Sequence, residues 1–265
     1  MFNLIWADLF KMRKSTAMKV ILGITTLSAV IMTVFAYLIP QGKMDAGMTG
    51  IGFMFSDINM ISILGAVIAG FFICGDYENK TIHAAVACGC SRKSIVVSKA
   101  VVFIGAIIVA LIPYAVVTGI AIGSGETFSL ESVGVGFLNL MAQESGGAFE
   151  ATAFFKLLLV MLAMMIVYGA QLSICVPLAL GIKKPVFVIA IYYGITILSA
   201  QLIGLRGSSD LFDKVFACTP FGGEYIFLTT SSKAGDIVQA ILVSAIFTAV
   251  MLAIAYGLFR KAELK

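Results

Sequence analysis

The sequence predicts an all-α membrane protein with six transmembrane helices, and three observations carry that prediction. Long apolar stretches run roughly Val20–Ile39, Ile58–Gly75, Ala100–Ile122, Leu157–Ile182, Pro185–Leu205 and Ile237–Phe259, and none holds Asp, Glu, Lys, Arg or His. A bilayer core of ~30 Å needs about 20 apolar residues in a helix, a length each stretch meets or approaches. Hydrophobic residues make up 60% of the chain and charged ones 12%, too few charges to cover a soluble globule of 265 residues. The basic residues also alternate in abundance from one connecting segment to the next.

That alternation sets the orientation. With the N-terminus inside, the inner segments hold Lys11, Arg13, Lys14, Lys19, Lys80, Arg92, Lys93, Lys99, Lys183, Lys184, Arg260, Lys261 and Lys265. The outer segments keep only Lys43, Lys156, Arg206, Lys214 and Lys233. Both termini are therefore expected in the cytoplasm, with 1–265 forming a single transmembrane domain at the cell membrane. The net charge of +4 reflects this bias and gives no reason to invoke nucleic acid. The first span is read as a retained helix, because its apolar run is too long for a signal peptide and Ile39-Pro40-Gln41-Gly42 offers no small-x-small cleavage site.

Each element has a local reason. At the N-terminus Phe2, Ile5, Trp6, Leu9, Phe10 and Met12 gather on one side of a helical wheel, against Asp8, Lys11 and Lys14. Such a stripe suits an interfacial helix in the headgroup plane. Between the second and third spans, residues 76–94 form the only inner segment long enough for a docking element. Asn79 or Thr81 can cap a short helix, Ile82 and Val86 share one face at i, i+4 spacing, and Gly89 can end it in the left-handed conformation. Ser91 then caps the third span. The long outer loop from Gly123 to Ala153 carries Glu126, Glu131, Glu144 and Glu150, and its stretch 130–142 is apolar enough for a short helix lying on the outer surface. Pro113 and Pro177 fall inside the third and fourth spans, where each can kink its helix. Gly65-x-x-x-Ala69, Ala66-x-x-x-Gly70 and Gly169-x-x-x-Ser173 give faces for close helix packing. The segment 206–236, with Pro220-Phe221-Gly222-Gly223, is expected to fold back to the interface.

What the spans lack narrows the chemistry. Ion-coupled carriers place ionisable groups in the membrane interior, and these six cores have none. Their polar exceptions are Asn59, Gln171 and Gln201, most simply interhelical hydrogen-bonding residues and secondarily contacts along a substrate pathway. One His, at 83, and no carboxylate pair, HExxH or GxSxG pattern argue against an enzyme. The absence of GxxxxGK[ST] means the chain is not itself a P-loop ATPase. Cys88-Gly89-Cys90 with His83 has the wrong spacing for zinc and lacks a near fourth ligand, so no metal or cofactor is expected on this chain. Only Cys218 of the five cysteines falls in an outer segment, so no external disulfide is expected within the chain.

The end of the second span followed by Asp76-Tyr77-Glu78-Asn79-Lys80-Thr81, then Gly89-Cys90-Ser91-Arg92 and Lys99, resembles permeases of the type-2 ABC export class. Those proteins carry an acidic-aromatic pair, a Thr opening a short coupling helix, a small-Ser-Arg turn, and a Lys as the third helix begins. Family members often have Glu where this chain has Asp76, and Lys80 fits their looser Gly-or-basic position. The resemblance implies a membrane subunit coupled to a separate ATPase that binds ATP and Mg. It makes Thr81 to Ala87 the coupling helix, with Asp76, Tyr77, Glu78, Thr81, Ile82, Val86 and Arg92 as the coupling residues. It further implies a second permease chain, an interfacial N-terminal helix packed beside the ATPase, and an amphipathic peptide or lipid-like cargo. Two other classes fit the residues alone: a secondary carrier or channel with an ion site built from backbone and Gln171, and a non-transporting scaffold or sensor subunit.

Overall fold

A computed structural model describes residues 2–130, 134–146, 151–205, 207–222 and 225–261. Glu131, Glu150, Arg206, Gly223 and Lys265, all used in the sequence reading, lie outside them. Among the described residues there is no strand, and six helical stretches are long and apolar enough to cross a membrane. The chain opens with α1 (Phe2–Lys14) and α2 (Thr16–Leu38), followed by α3 (Thr49–Met54) and α4 (Asp57–Ala69). A π-helical turn (Gly70–Cys74) joins α4 to α5 (Gly75–Glu78), and α6 (Thr81–Ala87) leads to α7 (Arg92–Gly123). Beyond these lie α8 (Gly136–Glu144), α9 (Ala151–Leu172), α10 (Cys175–Ile182), α11 (Pro185–Ile203), α12 (Asp210–Ala217) and α13 (Ala234–Lys261).

The six expected spans are all present, as multi-pass membrane architecture requires, but several are compound. The second runs from Thr49 to Glu78 through α3, α4, the π turn and α5. Its break at Phe55 frees a carbonyl, and the Tyr114 hydroxyl of α7 donates to it at 2.8 Å. The fourth span leaves the helix at Ser173 and Ile174, so Pro177 falls in the first turn of α10, where a missing N–H is an orphan anyway. Pro113, by contrast, sits within the unbroken 32 residues of α7.

α7 is the axis of the bundle and touches α1, α2, α4, α8, α9 and α13. The α9–α10 span is the most enclosed and α11 the least. Small residues set the closest approaches. A Cβ on Gly65 of α4 would stand 2.6 Å from both Leu172 methyls of α9, and one on Gly70 would stand 3.0 Å from Pro185. The first two small-residue faces therefore serve packing within the chain. Both ends of the chain meet at one end of the bundle, the termini end, where the last turn of α13 reaches Arg92.

Three local expectations are corrected. The short helix expected to lie on the outer surface starts later, at Gly136, and is sunk into the bundle, with Phe137, Leu140 and Met141 fully buried. Neither Asn79 nor Thr81 caps α6. Lys80 takes the capping position in the left-handed conformation (φ 54°), the Asn79 amide donates back to the Gly75 carbonyl, and Thr81 bonds Asp76. The apolar arc of α1 divides, with Ile5, Leu9 and Met12 against the bundle and Phe2, Trp6 and Phe10 exposed, while Asp8 faces inward. Gly89 (φ 84°) and the Ser91 cap, which accepts from the Ser94 N–H at 3.2 Å, are as the sequence predicts.

Gly136 is the position where only glycine fits. Its φ is 63°, and a Cβ there would fall 2.0 Å from the Tyr168 hydroxyl and 2.2 Å from an Asp57 carboxylate oxygen. Gly136→Ala should therefore lower stability by about 3 kcal/mol or prevent assembly. Gly119→Ala, on a helix with nothing within 4 Å, should leave it within about 0.5 kcal/mol. Thermal unfolding of the two variants in lipid nanodiscs checks this, and equal melting temperatures would contradict it.

Candidate functional site

At the termini end, four charges from three segments converge. Asp76, at the start of the α5–α6 segment, is 2% exposed, an environment that demands partners for a carboxylate. Lys11 of α1 pairs with one of its oxygens and Lys99 of α7 with the other. Lys99, itself 8% exposed, also reaches Asp8 of α1 at 2.6 Å, and Ser98 donates to the other Asp8 oxygen at 3.2 Å. Thr81 adds a hydroxyl to Asp76 at 2.8 Å and so ties the first residue of α6 into the same network. Two acids and two ammonium groups balance. The geometry links α1, α6 and α7 through one carboxylate.

A space of about 250 Å³ lies beneath α6, bounded by these charges and by Leu4, Ile82 and Ile95. Thus α6 is held by Thr81 and by the buried side chain of Ile82, 1% exposed, with an incompletely packed underside. Val86 is partly buried against the core. Glu78, Ala84, Ala87 and Cys88 form the exposed side of this segment.

Tyr77 and Arg92 complete the end. The Tyr77 ring is buried against Phe259 (centroids 6.4 Å) and His83 (6.3 Å), beneath the Lys183 ammonium at 5.0 Å, and its hydroxyl approaches the Leu180 carbonyl at 3.4 Å. The Arg92 guanidinium donates to the Phe259 and Arg260 carbonyls at 2.7 and 2.9 Å and stacks over Phe259. Those carbonyls belong to the last turn of α13, where orphan acceptors and the negative end of the helix dipole favour a cation. Asp76, Tyr77, Thr81, Ile82 and Arg92 are thus anchors directed into the protein. Of the seven residues expected to couple, Glu78 and Thr81 are exposed, and of these two only the Thr81 side chain is tied back to the network, through Asp76.

At the far end, Asn59 and Gln171 line a common cavity of about 250 Å³ between α4, α9 and α11, together with Thr196 and Ser199. Gln201 does not join them and is exposed. The Asn59 amide donates to the Phe53 carbonyl (2.9 Å) and to Ser56 (3.1 Å), and the Gln171 amide donates to the Pro220 carbonyl (2.9 Å). Both make the hydrogen bonds expected of packed polar residues.

Sequence reasoning missed Asp57, which stands one residue before the apolar run of the second span. Fully buried, it lies in the first turn of α4 and at the start of α8, accepting from the Phe137 N–H at 3.1 Å and from the Tyr168 hydroxyl. Two helix N-termini supply the positive potential that a cation would otherwise provide. Its second oxygen, Oδ1, has no hydrogen-bond partner. A signal was present in the sequence, since Ser56-Asp57 is a helix-start pair directly before an apolar run. Among the described residues, no group of three His, Cys, Asp or Glu stands together as metal ligands. The chain matches no protein-family model and no curated protein.

Burial grades the charge network. Asp76→Asn should destabilise the protein by about 3 kcal/mol, because Lys99 stays enclosed with half its compensation gone. Lys11→Met should change stability by less than about 1 kcal/mol, as Lys11 is 45% exposed. Unfolding by mixed-micelle titration compares them, and equal losses would contradict the ranking.

Proposed function

We propose that this chain is the membrane subunit of a type-2 ABC exporter, working with a separate ATPase that binds ATP and Mg and with a second permease chain. The observation that carries the reading is α6, a seven-residue helix at the termini end with an exposed face and a firmly anchored beginning. A helix pushed by a partner must pass that motion on. Here Thr81 and Asp76 lead it to Lys99 of α7, while the Arg92 contact leads it to α13. In this reading α6 is the coupling helix and the termini end is cytoplasmic. The exposed Phe2, Trp6 and Phe10 of α1 lie in the headgroup plane of the cell membrane. ATP hydrolysis belongs to the partner, so the chain is a permease and no enzyme. The motif order from Asp76 to Lys99 supports the assignment, and the cargo would be amphipathic.

The free face dictates the test. Ile82 points inward and is a poor crosslinking position, whereas Ala84 is exposed. Ala84→Cys in a background lacking the native cysteines, treated with a bifunctional thiol–amine reagent in source-cell membranes, should capture a P-loop ATPase. Gly119→Cys, near the far end of α7, should not. Failure at Ala84 and Ala87 alike, with other surface positions trapping partners, would overturn the reading.

Asp57 favours a second reading, an ion-coupled carrier, because a fully buried carboxylate with an unpaired oxygen is the group that a proton-coupled site requires. Transport that persists without any ATPase and is lost in Asp57→Asn would establish it. Transport that stops when ATP is withdrawn would exclude it.

A further inference from the structure

The far-end cavity has a chemical polarity that its composition does not announce. The orientation of each amide is fixed by its partner, since a carbonyl only accepts and the NH₂ group must therefore face it. Asn59 spends both N–H groups on Phe53 and Ser56, and Gln171 spends one on Pro220. The Thr196 hydroxyl donates to the Tyr192 carbonyl at 3.1 Å and the Ser199 hydroxyl to the Ile195 carbonyl at 2.8 Å. Every side-chain donor at these four positions except one N–H of Gln171 is thus committed to the protein. The acceptors are not: neither amide oxygen has a hydrogen-bond partner among the described residues, and each hydroxyl keeps lone pairs. The remaining lining includes Phe53 and Phe227 and contains no charged residue.

A wall of acceptors on an apolar ground selects its occupant. A carboxylate or phosphate would bring further acceptors and find one spare N–H, that of Gln171. An ammonium would be desolvated without a counter-charge. A neutral hydroxyl or primary amide on a hydrocarbon body supplies the missing donors and covers the aromatic wall. The volume of about 250 Å³ is below the usual 300–1,000 Å³ of a drug-sized site, so it suits a head group and its first few carbons. Ala200, on the rim of the cavity, is exposed along α11, the least enclosed span.

We infer that this cavity binds the head of a neutral long-chain amphiphile, an alcohol or primary amide, with its chain leaving along α11 into the lipid. The inference deepens the exporter reading and rests on it for calling the amphiphile a cargo. The acceptors Asn59 Oδ1, Gln171 Oε1, Thr196 Oγ1 and Ser199 Oγ set head-group specificity.

The test uses the purified full chain in phosphatidylcholine nanodiscs and three photoreactive probes: diazirine-bearing hexadecanol, hexadecanamide and hexadecanoate. The alcohol and amide should label residues 196–203 and 225–227 at least fivefold more than the carboxylate at neutral pH. The double variant Thr196→Val/Ser199→Ala alters no inter-element bond and should cut that labelling about tenfold, on the usual scale of a neutral hydrogen bond. Gln201→Leu, outside the cavity, should leave it unchanged. Equal labelling by all three probes, no labelling of these residues, or an unaffected double variant would overturn the inference. Labelling needs no ATPase. Its failure beside successful ATPase capture removes only the cargo class, and failed capture beside intact labelling removes only the exporter reading.

Discussion

Everything at the termini end depends on keeping one buried carboxylate company. Asp76 is enclosed at a place where water cannot solvate it, and an unpaired charge there would be strongly destabilising. The solution draws Lys11 from the first helix and Lys99 from the seventh, and Lys99 in turn gathers Asp8. Each partner adds a requirement for the next. Where α1 lies, where α6 begins and how α7 enters the bundle are consequences of one charge balance. Apolar packing holds the same elements together but would permit them to slide, whereas the ion pairs fix their register.

The far end solves the same problem by a different route. Among the described residues Asp57 has no lysine or arginine partner, and it relies on the first turns of α4 and α8, plus the Tyr168 hydroxyl. That arrangement explains why α8 is sunk into the bundle. Its N-terminus is needed at the carboxylate, its backbone is fastened by the Gly136 N–H to the Ile226 carbonyl at 2.8 Å, and its end by Glu144 to Thr230. The α8 part of the connection between the third and fourth spans is thus a structural plug. The acceptor-lined cavity lies beside it, bounded partly by Val135 and Ile226 from the same two segments.

The spans were legible because membrane-length apolar runs are a one-dimensional signal, and so was the helix–turn–helix of residues 81–123, written in Gly89 and Ser91. Polar partnerships were not legible. Lys99 and Asp8 stand 91 residues apart, and nothing local in either says that they meet. Composition suggested a surface helix near residue 136, whereas a single glycine with positive φ and no room for a Cβ decides its burial. Ile82 and Val86 read correctly as one face, yet periodicity alone does not reveal that this face is turned inward. The candidate pathway residues divided on position within the bundle, Asn59 and Gln171 sharing a cavity while Gln201 faced out.

The long separation between the partners of Asp8 has a consequence for biogenesis. As the chain emerges from the ribosome, α1 is complete before any of its charges has a partner. Asp76 arrives 65 residues after Lys11, and Lys99 only 91 residues after Asp8. Until the third span is threaded, α1 lacks Lys99, the partner of Asp8, and has only Asp76 to pair with Lys11. Its docking is therefore a late event that reports the arrival of α7. A chain truncated before Lys99 leaves Asp8 without its ammonium partner, a difference by which quality control can tell an unfinished molecule from a finished one.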